Sequence, residues 1–138
     1  MNRSELRALT RDRLADARAL LRAGRYSGTY YLVGYAVECA LKACIARHIR
    51  RHDFPSRKLA NDSYTHDLVK LVSTADLKDR LDAARAHDEA FKLNWSIVRD
   101  WSEEERYNSD IPRAKAQGLY IAITERRTGV MTWIRNYW

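Results

Sequence analysis

The scarcity of chain-breaking residues constrains this sequence more than any other feature. Its 138 residues include only 5 glycines and 2 prolines. Sandwiches and barrels need many turns, which favour these two residues, so the sequence argues against them. Hydrophobic residues make up 46% and charged residues 31%, a balance that can bury a core and excludes a disordered chain. We therefore predict an all-α fold in one domain, residues 1–138.

The apolar periodicity predicts an up-and-down bundle of four long helices plus one short helix. The expected helices, with approximate bounds, are 4–23, 27–51, 66–73, 75–101 and 111–138. Ser4 is the expected N-cap of the first helix, Gly24 its C-terminal stop and Thr65 the cap of the short helix. The second segment is apolar nearly all round, which predicts the central helix of the bundle. We expect a loop at 52–64 and a polar turn at 102–110.

The fourth segment carries an apolar stripe whose members are spaced alternately four and three residues apart. The stripe consists of Leu77, Leu81, Ala84, Asp88, Phe91, Trp95 and Val98. Such spacing predicts a seam against a neighbouring helix. Asp88 interrupts it, and a carboxylate among apolar side chains needs a hydrogen-bond partner or a place at the rim. We expect a hydrogen-bonded or rim aspartate, and a functional carboxylate is the alternative.

The positive charge is concentrated in the first half of the chain. Residues 1–60 carry a net charge of +8 and residues 61–138 carry −1, which together make +7. Six arginines in and just after the first helix fall on one side of the helical wheel. This arginine stripe consists of Arg3, Arg7, Arg11, Arg18, Arg22 and Arg25. A basic half suggests an acidic partner such as nucleic acid, whereas a merely solvated face is the alternative.

Several kinds of catalytic site are missing from the sequence. The glycines are scattered singly, so there is no phosphate-binding loop, and no nucleophile elbow occurs. The histidines form no metal-binding pattern, and each is expected to be a surface or edge residue. They are His48, His52, His66 and His87. We predict neither a metal site nor a cofactor.

The cysteines and the hydropathy indicate a compartment. Cys39 and Cys44 are too few for a disulfide framework and suit a reducing cytoplasm. No apolar run approaches the roughly 18 residues of a membrane span. The first residues lack the apolar core of a secretory signal. We expect a cytoplasmic protein with no membrane partner.

Three segments carry motifs in a recognisable order. Residues 25–43 run from a tyrosine-rich turn into a helix with the pattern A-x-E-x-x-L-K-A. Residues 64–71 contain H-x-L-x-x-L, and residues 93–95 and 105–107 supply L-N and R-Y before the last helix. In this order the chain resembles the HEPN family (higher eukaryotes and prokaryotes nucleotide-binding) over most of its length.

The resemblance implies a bundle of four to five helices that is usually dimeric. Many members are metal-independent ribonucleases that use an R-x(4–6)-H motif, often in toxin–antitoxin pairs with a nucleotidyltransferase partner. Others have lost the motif and act as binding or partner modules. The partners implied are therefore a second copy, a nucleotidyltransferase, and RNA or a nucleotide.

The ribonuclease motif is incomplete at the place where the family carries it. Arg99, Asp100 and Tyr107 align with that motif, but Glu105 stands where histidine belongs, and no histidine follows His87. Histidine suits proton transfer near neutral pH, whereas glutamate at its ordinary pKa is a weak base. We therefore predict a module with a degenerate nuclease motif that binds a nucleotide, a nucleic acid or a protein partner; a purely structural dimeric interaction module is also compatible with the sequence. The alternative is a metal-independent, toxin-type ribonuclease that acts through these four residues or through an unrecognised histidine.

Two literal matches to R-x(4–6)-H lie elsewhere in the chain. Arg47 precedes His52 with four residues between them, and Arg80 precedes His87 with six. A chain with 19 arginines is expected to contain such matches by chance, and both lie outside the usual place. We do not interpret them as a nuclease site.

Four residues are candidates for binding a nucleotide or nucleic acid. They are Glu38, Lys42, Arg99 and Arg106. Glu38 and Lys42 lie four residues apart on the predicted central helix, in the favourable order for a helical ion pair. We expect this pair to stabilise the bundle, and the alternative is a groove in which Lys42 meets a phosphate.

Homodimerisation is expected, and aromatic residues near the last helix are candidates for the interface. They are Trp101, Trp133, Tyr137 and Trp138. Ordinary core packing is the alternative interpretation of these side chains.

Overall fold

The structure, a computed structural model, describes residues 1–49 and 54–138. These residues form helices and contain no strand, so the predicted all-α bundle is confirmed. The α-helices are α1 (Arg3–Arg22), α2 (Tyr26–Arg47), α3 (Arg57–Asp62), α4 (Leu68–Thr74), α5 (Lys78–His87), α6 (Glu89–Val98), α7 (Arg113–Thr124) and α8 (Val130–Ile134). A 3₁₀ helix, Glu103–Tyr107, lies between α6 and α7.

α1 and α2 form a helical hairpin, and both ends of α1 are capped. The cap of α1 is Asn2 and not the expected Ser4, because Asn2 and Glu5 satisfy each other's backbone N–H groups in a capping box. Gly24 ends the helix as expected. Its φ of +73° allows Arg25 N–H to donate to Leu20 O at 2.8 Å, the Schellman pattern.

α2 is the central helix, as its apolar composition predicts. It packs against α1, α4, α7, α8 and the 3₁₀ helix. It ends at Arg47 and not at Arg51, because the N–H groups of His48 and Ile49 turn back to carbonyls three residues earlier. Arg51 itself lies outside the described residues.

Two expected long helices are each broken in two. The segment 75–101 breaks at Asp88, whose side chain accepts a hydrogen bond from Phe91 N–H and caps α6. Asp88 is therefore the hydrogen-bonded aspartate that we expect. The segment 111–138 breaks before Gly129, where a side chain would clash with the carbonyl oxygens of Glu125 and Ile123. The second break lets α7 and α8 each pack against α2, whereas α6 packs on α7 and α8.

The region between α2 and α4 also differs from expectation. α3 lies inside the stretch expected to be a loop, with Ser56 as its cap. Asp67, and not Thr65, caps α4, because its Oδ1 accepts from Lys70 N–H at 3.1 Å. His66 therefore lies before the helix, with its side chain free to reach other elements.

The aromatic residues expected at a dimer interface are mostly in the core. Trp101 is 3%, Trp133 9% and Trp138 8% exposed, so the interface interpretation of these side chains is wrong. Trp133 packs between Phe91 and the half-buried Tyr137, with ring centroids 5.6 and 5.4 Å away. Core packing, the alternative, is confirmed for the three tryptophans.

No helix of the described residues is long and apolar enough to cross a membrane.

Candidate functional site

A cleft of about 730 Å³ opens between the start of α4 and the segment that leads from α6 into the 3₁₀ helix. Its lining consists of Thr65, His66, Asp67, Val69, Arg99, Asp100, Trp101, Ser102, Glu103 and Glu104. Two of the predicted site residues, Arg99 and Asp100, are among them. The cleft is therefore the candidate functional site.

Trp101 anchors the rim of this cleft to the central helix. Its indole ring lies against Gly34 of α2, at a point where any larger residue would collide with it. The ring also stacks on Tyr31, with centroids 6.2 Å apart. Because Trp101 is held in the core, its neighbours Arg99, Asp100 and Ser102 remain exposed at the rim.

His66 joins three elements at the wall of the cleft. Its Nδ1 lies 2.8 Å from Oε1 of Glu38 on α2, and its Nε2 lies 2.7 Å from Oε2 of Glu103 in the 3₁₀ helix. Glu38 is only 2% exposed and also accepts a hydrogen bond from Lys42 Nζ at 3.0 Å. The predicted Glu38–Lys42 ion pair is thus present and extends through His66 to the 3₁₀ helix. We call these four residues the His66 cluster.

The His66 cluster restricts what the imidazole can do. A neutral imidazole carries a proton on one nitrogen only, so both contacts are hydrogen bonds when the ring or one of the carboxyl groups carries an additional proton. Neither ring nitrogen is free to accept a proton from a substrate while both carboxylates are in place. Glu103 is shared further, since Arg106 Nη1 lies 3.7 Å from its other oxygen. The geometry resembles a structural clamp more than a poised base.

The remaining predicted residues lie outside the lining of the cleft. Glu105 is half-buried and accepts a weak hydrogen bond from Asn108 at 3.4 Å. Tyr30 is nearby: burial first, and then the charges of Glu105 and Asp100, raise the pKa of its hydroxyl.

Arg106 donates to the hydroxyl of the exposed Tyr107 at 2.7 Å. The structure therefore groups Arg99 and Asp100 with His66, and it leaves the aligned Glu105 and Tyr107 outside that group.

Sequence reasoning did not single out His66. Its partners Glu38 and Glu103 lie 28 and 37 positions away along the chain, so no spacing pattern connects the three residues. The available signal was the H-x-L-x-x-L segment, which places His66 just before a helix that packs on α2.

The two chance R-x(4–6)-H matches form no site in the described residues. Arg80 lies over the ring of Tyr137 at 4.9 Å, and neither Arg80 nor His87 lines the cleft. His52, the partner of Arg47 in the other match, lies outside the described residues.

Metal and thiol chemistry find no support in the part of the chain that the structure describes. It contains no group of three or more side chains able to hold a metal ion. Both cysteines are free and buried, and burial raises the pKa of Cys39 to about 11 and that of Cys44 to about 12. Their thiols therefore stay protonated and unreactive near neutral pH.

The order of elements, the Tyr-rich start of the central helix and the rim around Arg99 agree with one family. The sequence profile of the HEPN domain matches residues 5–126, most of the chain. The chain belongs to the HEPN domain family. Membership supports a nucleotide-binding or ribonuclease-type module in general terms. Searches of curated proteins and of solved structures find no match to this HEPN chain.

One HEPN motif residue has a structural explanation here. Asn94, from the L-N segment on α6, donates from Nδ2 to the carbonyl and hydroxyl oxygens of Thr128 at 3.0 and 3.2 Å. It thereby ties α6 to the connection between α7 and α8, which is the second of the two helix breaks. In this HEPN domain Asn94 holds the fold and does not reach the cleft lining.

Proposed function

We propose that this HEPN domain is a binding module that holds RNA and does not cleave it. The observation that carries the proposal is the clamping of His66 between Glu38 and Glu103. Metal-free RNA cleavage needs a base to take the proton of the 2′-hydroxyl and an acid to protonate the leaving oxygen. The aligned position holds Glu105, and the histidine nearest to Arg99 in the cleft is already paired at both nitrogens.

The charge of the cleft supports the same conclusion. Four carboxylates line it, those of Asp67, Asp100, Glu103 and Glu104, against one arginine and His66. Carboxylates near Arg99 repel a phosphate, which a nuclease has to hold against its catalytic groups. The excess of positive charge lies instead in residues 1–60, which carry a net charge of +8 and include both helices of the hairpin. A basic region of this size favours RNA over an uncharged partner.

A working ribonuclease is the second candidate, because His66 and Arg99 line the same cleft. The imidazole of His66 is 47% exposed, so a substrate can reach it if Glu103 moves away. In that case His66 supplies the histidine that position 105 lacks, with Arg99 holding the phosphate. The aligned residues Asp100, Glu105 and Tyr107 then have supporting roles or none.

The other partners are proposals drawn from the family resemblance. We propose a homodimer, and the exposed apolar side chains of α6 and α7, which are Leu93, Ile97 and Ile121, are candidates for its interface. A nucleotidyltransferase partner is proposed on the same basis. A cytoplasmic location is proposed because Cys39 and Cys44 are free thiols, which suit a reducing compartment. Size-exclusion chromatography with light scattering measures the oligomeric state directly, and a monomer at micromolar concentration would contradict the homodimer.

Cleavage of RNA separates the two candidate functions. The wild-type protein, Arg99→Ala and His66→Gln are incubated with a mixed RNA pool in EDTA, and the products are resolved on a denaturing gel. We expect intact RNA with all three proteins, because the histidine in the cleft is paired at both ring nitrogens and carboxylates at their ordinary pKa are weak bases. Cleavage by the wild type that disappears in Arg99→Ala would overturn the proposal, and its disappearance in His66→Gln as well would identify His66 as the base.

A further inference from the structure

The arginine stripe of the first helix separates into two halves with different surroundings. In the first half, Arg7 and Arg11 lie over the indole ring of Trp138 at 4.9 and 5.4 Å, and Arg3 donates to the Trp138 carbonyl oxygen. These three side chains are therefore engaged in packing the end of the chain against α1. Half of the stripe thus has a structural role.

The other three arginines of the stripe, Arg18, Arg22 and Arg25, are exposed. Arg22 and Arg25 flank the turn between α1 and α2, and Arg113 at the start of α7 comes close to the same turn. Among the described residues, none of Arg22, Arg25 and Arg113 has an ion-pair, hydrogen-bond or cation–π partner for its guanidinium group. We call Arg22, Arg25 and Arg113 the arginine corner.

Two adjoining hollows, of about 470 and 510 Å³, lie at the arginine corner. They share Gly24 and Tyr26, and their linings contain all three arginines and no carboxylate. The lining of the first hollow is Leu20, Gly24, Arg25, Tyr26, Ser27, Gly28, Ser109 and Ile111. This is the reverse of the cleft at His66, where carboxylates dominate the lining. The two surfaces therefore differ in charge: the cleft at His66 repels phosphate, and the arginine corner attracts it.

Three features of the arginine corner suit a chain of phosphates. The unpaired guanidinium groups lie at the end of α1, just before α2 and at the start of α7. Each can therefore contact a different phosphate, and all retain their charge at any physiological pH. Tyr26 is half-buried and lines both hollows, and an aromatic side chain beside cations is the type of residue on which the bases of single strands stack. The first turn of α2 has no side-chain cap and no acidic residue, which adds a weak attraction for anions.

We propose that the arginine corner binds the phosphodiester backbone of single-stranded RNA. This inference rests on the proposed function and names the surface that carries it. A positively charged groove with an aromatic ring is the usual arrangement for sequence-tolerant binding of single strands. A free nucleotide offers the same phosphate chemistry, but it can engage only part of a surface with three separated cations.

The test compares two triple variants with the same loss of charge. In the corner variant, Arg22, Arg25 and Arg113 are each replaced by glutamine. In the control variant, the exposed Arg57, Arg126 and Arg127 are replaced by glutamine, because they lie away from both hollows. Binding of fluorescein-labelled oligouridylate is followed by fluorescence anisotropy over a series of salt concentrations, with 5′-AMP as a competitor. Circular dichroism verifies that each variant is folded.

We expect the corner variant to bind roughly ten-fold more weakly at low salt, and the control to stay within about three-fold of the wild type. Loss of three phosphate contacts is also expected to reduce the slope of log K against log salt by about 2, at about 0.7 for each contact with a single strand. Equal losses in both variants would overturn the arginine corner while leaving RNA binding intact. Displacement of the RNA by AMP at equal concentration would assign the corner to free nucleotides. Absence of RNA binding by the wild type would instead contradict the proposed function itself.

Discussion

Replacing Gly34 with alanine is expected to destabilise the bundle strongly. An alanine Cβ at this position would lie inside the van der Waals radii of three atoms of the Trp101 indole ring. The ring cannot move aside easily, because Trp101 is only 3% exposed and stacks on Tyr31. Overpacking of a core costs about 1–3 kcal/mol, and we expect a loss of stability at the upper end of that range.

Urea unfolding measures this effect against a matched glycine. Gly118 lies within α7, and a Cβ added there meets no atom within 4 Å. Gly118→Ala should therefore stabilise the protein by up to about 1 kcal/mol, because alanine is the better helix former. If Gly34→Ala were as stable as Gly118→Ala, Trp101 would not be anchored against α2 as the structure has it.

Loss of the Glu38 carboxylate is expected to have the second large effect. Glu38→Ala leaves Lys42 and His66 without their shared acceptor and opens space at a site that is 2% exposed. Breaking a fully buried ion pair costs about 3–5 kcal/mol. The side chains of Lys42 and His66 are 22% and 47% exposed and can turn to water, so we expect a smaller loss of about 2–3 kcal/mol.

A surface ion pair provides the control for Glu38. Asp16 pairs with Arg13 at 2.9 Å on α1, and their side chains are 47% and 33% exposed. Asp16→Ala is expected to change the free energy of unfolding by less than about 1 kcal/mol. Glu38→Gln keeps the shape of the side chain and removes its charge, so it should fall between Glu38→Ala and the wild type. Equal effects of Glu38→Ala and Asp16→Ala would show that the His66 cluster does not hold the 3₁₀ helix against α2.

The class of the fold follows from the sequence because few residues interrupt the helical periodicity. The central position of α2 also follows from the sequence, since a helix that is apolar on every side has to be surrounded by other helices. The breaks are harder to anticipate. In the sequence, Asp88 is compatible with a single helix that carries an aspartate on its apolar stripe, and also with the N-cap of a new helix. Only the path of the chain after Asp88 distinguishes these two arrangements. Gly129 looks like an ordinary glycine until the carbonyl oxygens around it are placed.

The candidate site was only partly predictable, for a related reason. Arg99 and Asp100 could be found because the resemblance to the HEPN family aligns them with its ribonuclease motif. The part played by His66 depends on Glu38 and Glu103, which reach it through tertiary packing. The arginine stripe was visible as a periodic pattern, but its division into a packed half and an exposed half depends on Trp138, more than 100 residues later.

We propose that the protein holds RNA by charge and leaves it intact. One measurement tests both parts: anisotropy of labelled oligouridylate with the wild-type protein, at sodium chloride concentrations from 50 to 200 mM, followed by a denaturing gel of the same samples. We expect log K to fall linearly with log salt concentration, as phosphate contacts release bound counterions, and the RNA to remain at full length. Binding that is insensitive to salt, or RNA that is shortened in the presence of EDTA, would contradict the account.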